Sequence, residues 1–247
     1  DEFQKKMDPT TTKNIIVMMI GIMLIVGGIM VFVYTIMNRA QPVPVTNFSS
    51  SLPTFFFTEN QVQIDMSELN RTELVDTVHL QMENTTLVPK TFTNLFISYN
   101  TAAGQTQVPT NVFFQKLGIE IPDGLFQNVY PAFMLGVYNE TSGNDLFMIF
   151  TVKDFNETFL AMREWEPRML SELIRIFNID TSMYGKAIYS KEFTTETLFN
   201  KEARVLKDDS GEILLSYIFL DPKTVMITTE TPGLEEVIKR MNLQTIK

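Results

Sequence analysis

Residues 204–229 read RVLKDDSGEILLSYIFLDPKTVMITT. Apolar, β-branched and aromatic residues fill three runs: Arg204–Lys207, Glu212–Leu220 and Thr224–Thr229. Between them stand DDSG and DPKT, whose Asp, Ser, Gly and Pro residues are what tight turns require. Connections this short join antiparallel neighbours, because a parallel pair needs a crossover of a dozen residues or more. The stretch therefore predicts a three-stranded meander.

The segments on either side extend the pattern. Thr231-Pro232 supplies a cap and a first-turn proline for a final helix. Pro131–Tyr138 and Leu146–Val152 flank NETSGN and predict a β-hairpin. Asp154 then caps a long helix whose apolar residues are Phe155, Phe159, Met162, Met169, Leu173, Ile176 and Phe177. Pro167, inside that pattern, predicts a kink or a split. Further upstream QVQIDMS (61–67) alternates as a strand, and Asn70 caps a helix through Glu83 that carries Leu74, Val75, Val78 and Met82. Thr91–Tyr99 is a second strand. Thr110 caps NVFFQKL, which ends at Gly118, and IPDGLFQNV adds a helical turn. The order βα, β, αα, ββ, α, βββ, α predicts an α+β domain: an antiparallel sheet with helices on one face, divided into two sublobes near residue 130.

Ahead of this domain lies IIVMMIGIMLIVGGIMVFVYTIM, ending at Met37 and free of charge. Some twenty apolar residues cross ~30 Å of hydrocarbon as a helix, so residues 14–37 are assigned to a single transmembrane helix. Residues 1–13 form a cytoplasmic tail, 38–54 a Pro/Ser linker, and 55–247 the exported domain. Lys5, Lys6 and Lys13 precede the helix, and only Arg39 follows it before Arg71; the positive-inside bias leaves the N-terminus in the cytoplasm. Gly21, Leu24 and Gly28 share one helix face, where missing side chains let a neighbouring helix approach.

The chain carries a net charge of −9, no cysteine and one histidine. An acidic surface repels phosphate backbones, which argues against nucleic acid as a partner. Without cysteine there is no thiol nucleophile, iron–sulfur cluster or cysteine zinc site. His79 has no carboxylate–nucleophile arrangement around it in the sequence and is read as structural. Asp208, Asp209 and Glu212 have a carboxylate spacing unlike a calcium loop and fit a plain turn. Glu164 and Glu166, two apart on a helix, point away from each other and cannot form an acid–base pair. Glycine-rich phosphate loops and nucleophile elbows are absent from the sequence. These readings assign no catalytic residue, no cofactor and no metal, and leave any small-molecule ligand open.

The stretches FMLGVYNETSGNDLFMIFTVKDFNETFLAMREWEPRMLSEL (133–173) and 204–229 resemble segments of single-pass envelope proteins of reduced-genome bacteria. The resemblance implies a bacterial source and an extracytoplasmic domain, and it brings no residue roles. The combined expectation is a non-enzymatic envelope scaffold or assembly component of pilus or secretion-apparatus type. It sits in the bilayer and contacts other envelope proteins or further copies of itself. The alternatives are an extracytoplasmic sensor or ligand-binding module signalling through the membrane helix, and an envelope hydrolase.

Overall fold

The computed structural model describes residues 18, 19, 23, 25, 27, 28 and 30, and then 55–85, 88–101, 104–140, 143–182 and 185–245. The tail, the linker, most of the 14–37 span and both Gly21 and Leu24 lie outside the described residues. Gly28 is described: it is helical and exposed, and a Cβ added there would meet nothing within 4 Å. Among the described residues no helix is long and apolar enough to cross a membrane. The residues from 55 onward belong to one compact unit.

In that unit nine strands form one sheet: β1 (Asn60–Asp65), β2 (Thr91–Thr101), β3 (Gly104–Gln107), β4 (Val129–Asn139), β5 (Asn144–Val152), β6 (Thr194–Leu198), β7 (Lys201–Lys207), β8 (Ile213–Asp221) and β9 (Thr224–Thr228). The order across it is β1-β2-β4-β5-β9-β8-β7-β6, with β3 pairing off β2. Every pair is antiparallel except β1–β2, which is parallel and joined through a helix. The meander of residues 204–229 is present as β7–β8–β9. Residue 130 falls at the start of β4, a strand flanked by β2 and β5.

Among the described residues of this unit five α-helices cover the sheet: α1 (Arg71–Asn84), α2 (Thr110–Leu117), α3 (Asp123–Asn128), α4 (Phe155–Leu173) and α5 (Thr231–Thr245). The expectation of helices on one face is corrected here. The first four pack on one side, where Leu74, Phe114, Leu125 and Trp165 meet Leu135, Met148 and Phe150. The fifth covers the other side, where Leu234 and Val237 join Phe56, Phe92, Phe147 and Ile149. The physical reason lies in β5. Its run LFMIF (146–150) is apolar at both parities, so both faces of the central strand must be withheld from water.

Two local expectations also change. Thr110 does not cap α2; Pro109 holds that position, and Thr110 Oγ1 donates to the carbonyls of Tyr130 and Pro131, at 2.8 and 2.9 Å. Pro167 does not split α4, which runs unbroken from Phe155 to Leu173. Pro167 and Arg163, whose carbonyl the missing N–H would have served, are both exposed residues. Asn70 and Glu73 form a reciprocal capping box on α1, and Gly118 closes α2 at φ +65°.

Gly136 on β4 stands opposite Phe147 on β5, whose ring lies over the glycine: a Cβ there would sit 2.2 Å from Phe147 Cζ. Phe56 and Phe92 hold that ring, with centroids at 6.2 and 5.6 Å. Gly136→Ala is therefore expected to cost about 1–3 kcal/mol. Urea denaturation measures it, and a cost below about 0.5 kcal/mol would show that the ring can move aside.

Candidate functional site

The start of α4 is fixed by Asp154, whose carboxylate accepts from the Glu157 N–H at 2.9 Å. On this helix Thr158, Ala161, Met162 and Trp165 are buried, and these set its core-facing side. Phe155 and Phe159 sit one flank round from that side, four residues apart and so stacked one above the other. They face Phe219 on β8. The Phe155 and Phe219 rings meet edge to face at 4.8 Å, Phe155 and Phe159 stack at 5.9 Å, and Phe159 tilts against Phe219 at 6.2 Å.

A groove of about 500 Å³ runs along these rings, closed by Leu220 and Pro222 and rimmed by Lys201, Glu202 and Asp221. Lys201 Nζ donates to the Leu220 carbonyl at 2.7 Å, which ties the rim to the end of β8. Phe155 is 40% exposed, and Leu160, on the outward face of the same helix turn, is 66% exposed. The sequence pattern placed Phe155 and Phe159 in the core stripe; the structure puts them at its edge. The available signal was breadth: residues 155, 158, 159, 161, 162 and 165 span more of the helix than one sheet face can bury. Phe219 carried no separate signal.

The other residues singled out in the sequence fall elsewhere. His79 Nε2 donates to the Ile176 carbonyl at 3.1 Å. The Asp208 carboxylate accepts from Ser210 and from the Glu212 N–H inside its own turn, as a plain turn should. Asp209 pairs instead with Lys191 at 2.6 Å. Glu166 turns into a buried network, where it accepts from Arg204 at 2.8 and 2.9 Å and from the Tyr217 hydroxyl at 2.7 Å. Glu164 is exposed.

Asp145 was not singled out in the sequence. Burial, and then the charges of Glu230 and Glu140, push its carboxyl up to about 7, against the opposing influence of the Gly233 N–H. Among the described residues, no three His, Asp or Glu side chains are placed to hold a metal ion. In comparison with known proteins, the chain matches no family model, no curated protein and no solved structure.

Proposed function

We propose that this chain is a single-pass scaffold or assembly component of a bacterial envelope. In this reading residues 14–37 anchor it with the N-terminus in the cytoplasm, and its extracytoplasmic domain holds another envelope protein. One observation carries the reading: three phenylalanines line an open groove on an otherwise acidic domain. Exposed aromatic side chains in a concave setting are typical anchors of protein interfaces. The occupant is an apolar segment of a different protein; a second copy would bring another net charge of −9 against the first. The Gly21–Leu24–Gly28 face of the anchor belongs to the same proposal as a helix contact within the bilayer. The role in this reading is one of binding and does not include catalysis.

The test is photocrosslinking in cells. Benzoylphenylalanine in place of Asn156, beside the groove, should capture a partner; the same group at Val88, 71% exposed on a different surface, should not. Phe155→Ser combined with Phe159→Ser should cut the captured fraction at least tenfold, since interface anchors of this kind contribute about 2 kcal/mol or more. Thermal unfolding of the double variant should stay close to wild type, because neither ring is fully buried. A homodimer as the captured species, or capture that ignores the two phenylalanines, would overturn the proposal.

A further inference from the structure

A second groove, of about 550 Å³, lies at the opposite end of α4, between α1 and the chain that follows Leu173. It is roughly 25 Å from the phenylalanines, most of the length of α4, and shares no lining residue with their groove. Six arginines are described. Arg163 and Arg204 pair with Glu166, Arg168 with Glu172, and Arg240 with Glu59. Arg71 and Arg175 have no hydrogen-bond or ion-pair partner among the described residues, and both line this one groove.

In a chain with nine more acidic than basic residues, two arginines without an acidic partner in the lining of one groove stand out. Arg71 is also supported from below. Its Nη1 lies 2.7 Å from where a Cβ on Gly118 would stand, so the missing side chain makes room for the guanidinium. Val75, Ile174 and Ile179 supply an apolar floor, and the half-exposed Tyr189 an aromatic edge. His79 belongs to the lining as well. Its Nε2–H is used on the Ile176 carbonyl. Asp76 lines the same groove and pairs with neither arginine. Two arginines against one aspartate leave one net positive charge.

We propose that this groove binds a small organic acid: one carboxylate held by Arg71 and Arg175, and an apolar body laid on Val75, Ile174 and Ile179. A guanidinium offers a carboxylate two parallel N–H groups, and charge-assisted bonds of this kind are the stronger class. The single net charge selects a monoanion over a phosphate dianion.

The experiment is calorimetric titration of the full chain in lipid nanodiscs with 3-phenylpropionate, 3-phenylpropanol and inorganic phosphate. Empty nanodiscs provide the blank for partition into lipid. For a ligand of this size the expected Kd for 3-phenylpropionate is on the order of 1 mM. The alcohol and phosphate should bind at least tenfold more weakly. Arg71→Gln and Arg175→Gln should each weaken binding about tenfold or more, the usual range for a hydrogen bond to a charged group. Asp76→Asn should tighten it a few-fold by removing a like charge, a gain that a structural role for Asp76 would not produce. Phe155→Ser with Phe159→Ser should leave it unchanged. The proposal is overturned by no saturable binding of the acid, by equal binding of the alcohol or phosphate, or by binding that ignores both arginines. Loss of binding in the phenylalanine variant would place the probe in the other groove and overturn it too.

Discussion

Replacing Glu166 by alanine is expected to lower the unfolding free energy by about 3–5 kcal/mol, the range for removing one partner of a buried ion pair. Arg204 is 7% exposed and Glu166 little more at its side chain. The guanidinium donates to both carboxylate oxygens, to Thr195 Oγ1 at 2.7 Å and to the Phe193 carbonyl at 2.6 Å. An arginine stays protonated throughout the accessible pH range, so neutralisation offers no escape once Glu166 is gone. Alanine at 166 leaves that charge buried without its counter-charge and also removes the acceptor of Tyr217.

The network fastens the edge strand β6 and the residues before it to α4, so that edge should loosen first. Arg163→Ala makes the control. Its contact to Glu166 is 3.7 Å and its side chain 45% exposed, a geometry worth under about 1 kcal/mol. A double variant, Glu166→Leu with Arg204→Met, should recover much of the loss, because an apolar pair of similar volume is often no worse than a buried ion pair. Urea denaturation of the four proteins decides the matter. A Glu166→Ala cost no larger than that of Arg163→Ala would sink it.

Much of the domain could be read from its residues because its strands alternate and its turns carry the right chemistry; β7–β8–β9 and the β4–β5 hairpin are the cases in point. The strands that escaped notice are β3, GQTQ, and β6, TTETL. Neither has an apolar parity, because each lies at an edge of the sheet and has little to bury. The parallel β1–β2 pair is equally silent, since alternation fixes which face a side chain takes and says nothing of strand direction.

The second helical layer was legible in principle. LFMIF at 146–150 has no polar parity, which a one-sided sheet cannot accommodate. The site is a harder case. Phe155 and Phe159 are conspicuous in the sequence, but Phe219 lies sixty residues on, and only the fold brings it into edge-to-face contact. Arg71 and Arg175 are more than a hundred residues apart, and their freedom from partners is a property of every neighbour they lack. Pair spacing in sequence cannot show that.

Lowering the pH from 8 to 5 is expected to stabilise the domain, with most of the gain coming from Asp145. Its Oδ2 is buried beside the first turn of α5 without a hydrogen bond of ordinary geometry. Burial first, then Glu230 and Glu140, hold the folded carboxyl at about 7, against 3.8 for the free group. Between those two values the folded state keeps a proton that the unfolded chain releases. Stability must therefore fall as the pH climbs from about 4 to about 7, and level off above. Each pKa unit corresponds to ~1.4 kcal/mol. With part of the carboxyl in reach of solvent, the whole span amounts to about 2–4 kcal/mol.

Asp145→Asn removes the charge and keeps the shape. It should match wild type at pH 4, exceed it by roughly 2 kcal/mol or more at pH 8, and lose most of the slope between. Glu230, also raised by its burial and by Glu212 and Glu140, leaves a smaller slope of the same sign. Glu59 works in the opposite sense. Burial tends to raise its pKa, but the hydrogen bonds from Arg240 and the Phe92 N–H hold it below 4.5, so its contribution is lost only under more acid conditions. The slope from 5 to 8 thus comes mainly from Asp145, with Glu230 adding to it. Equilibrium unfolding of wild type and Asp145→Asn across it reads the linkage directly, and an undiminished slope in the variant would move the proton to another group.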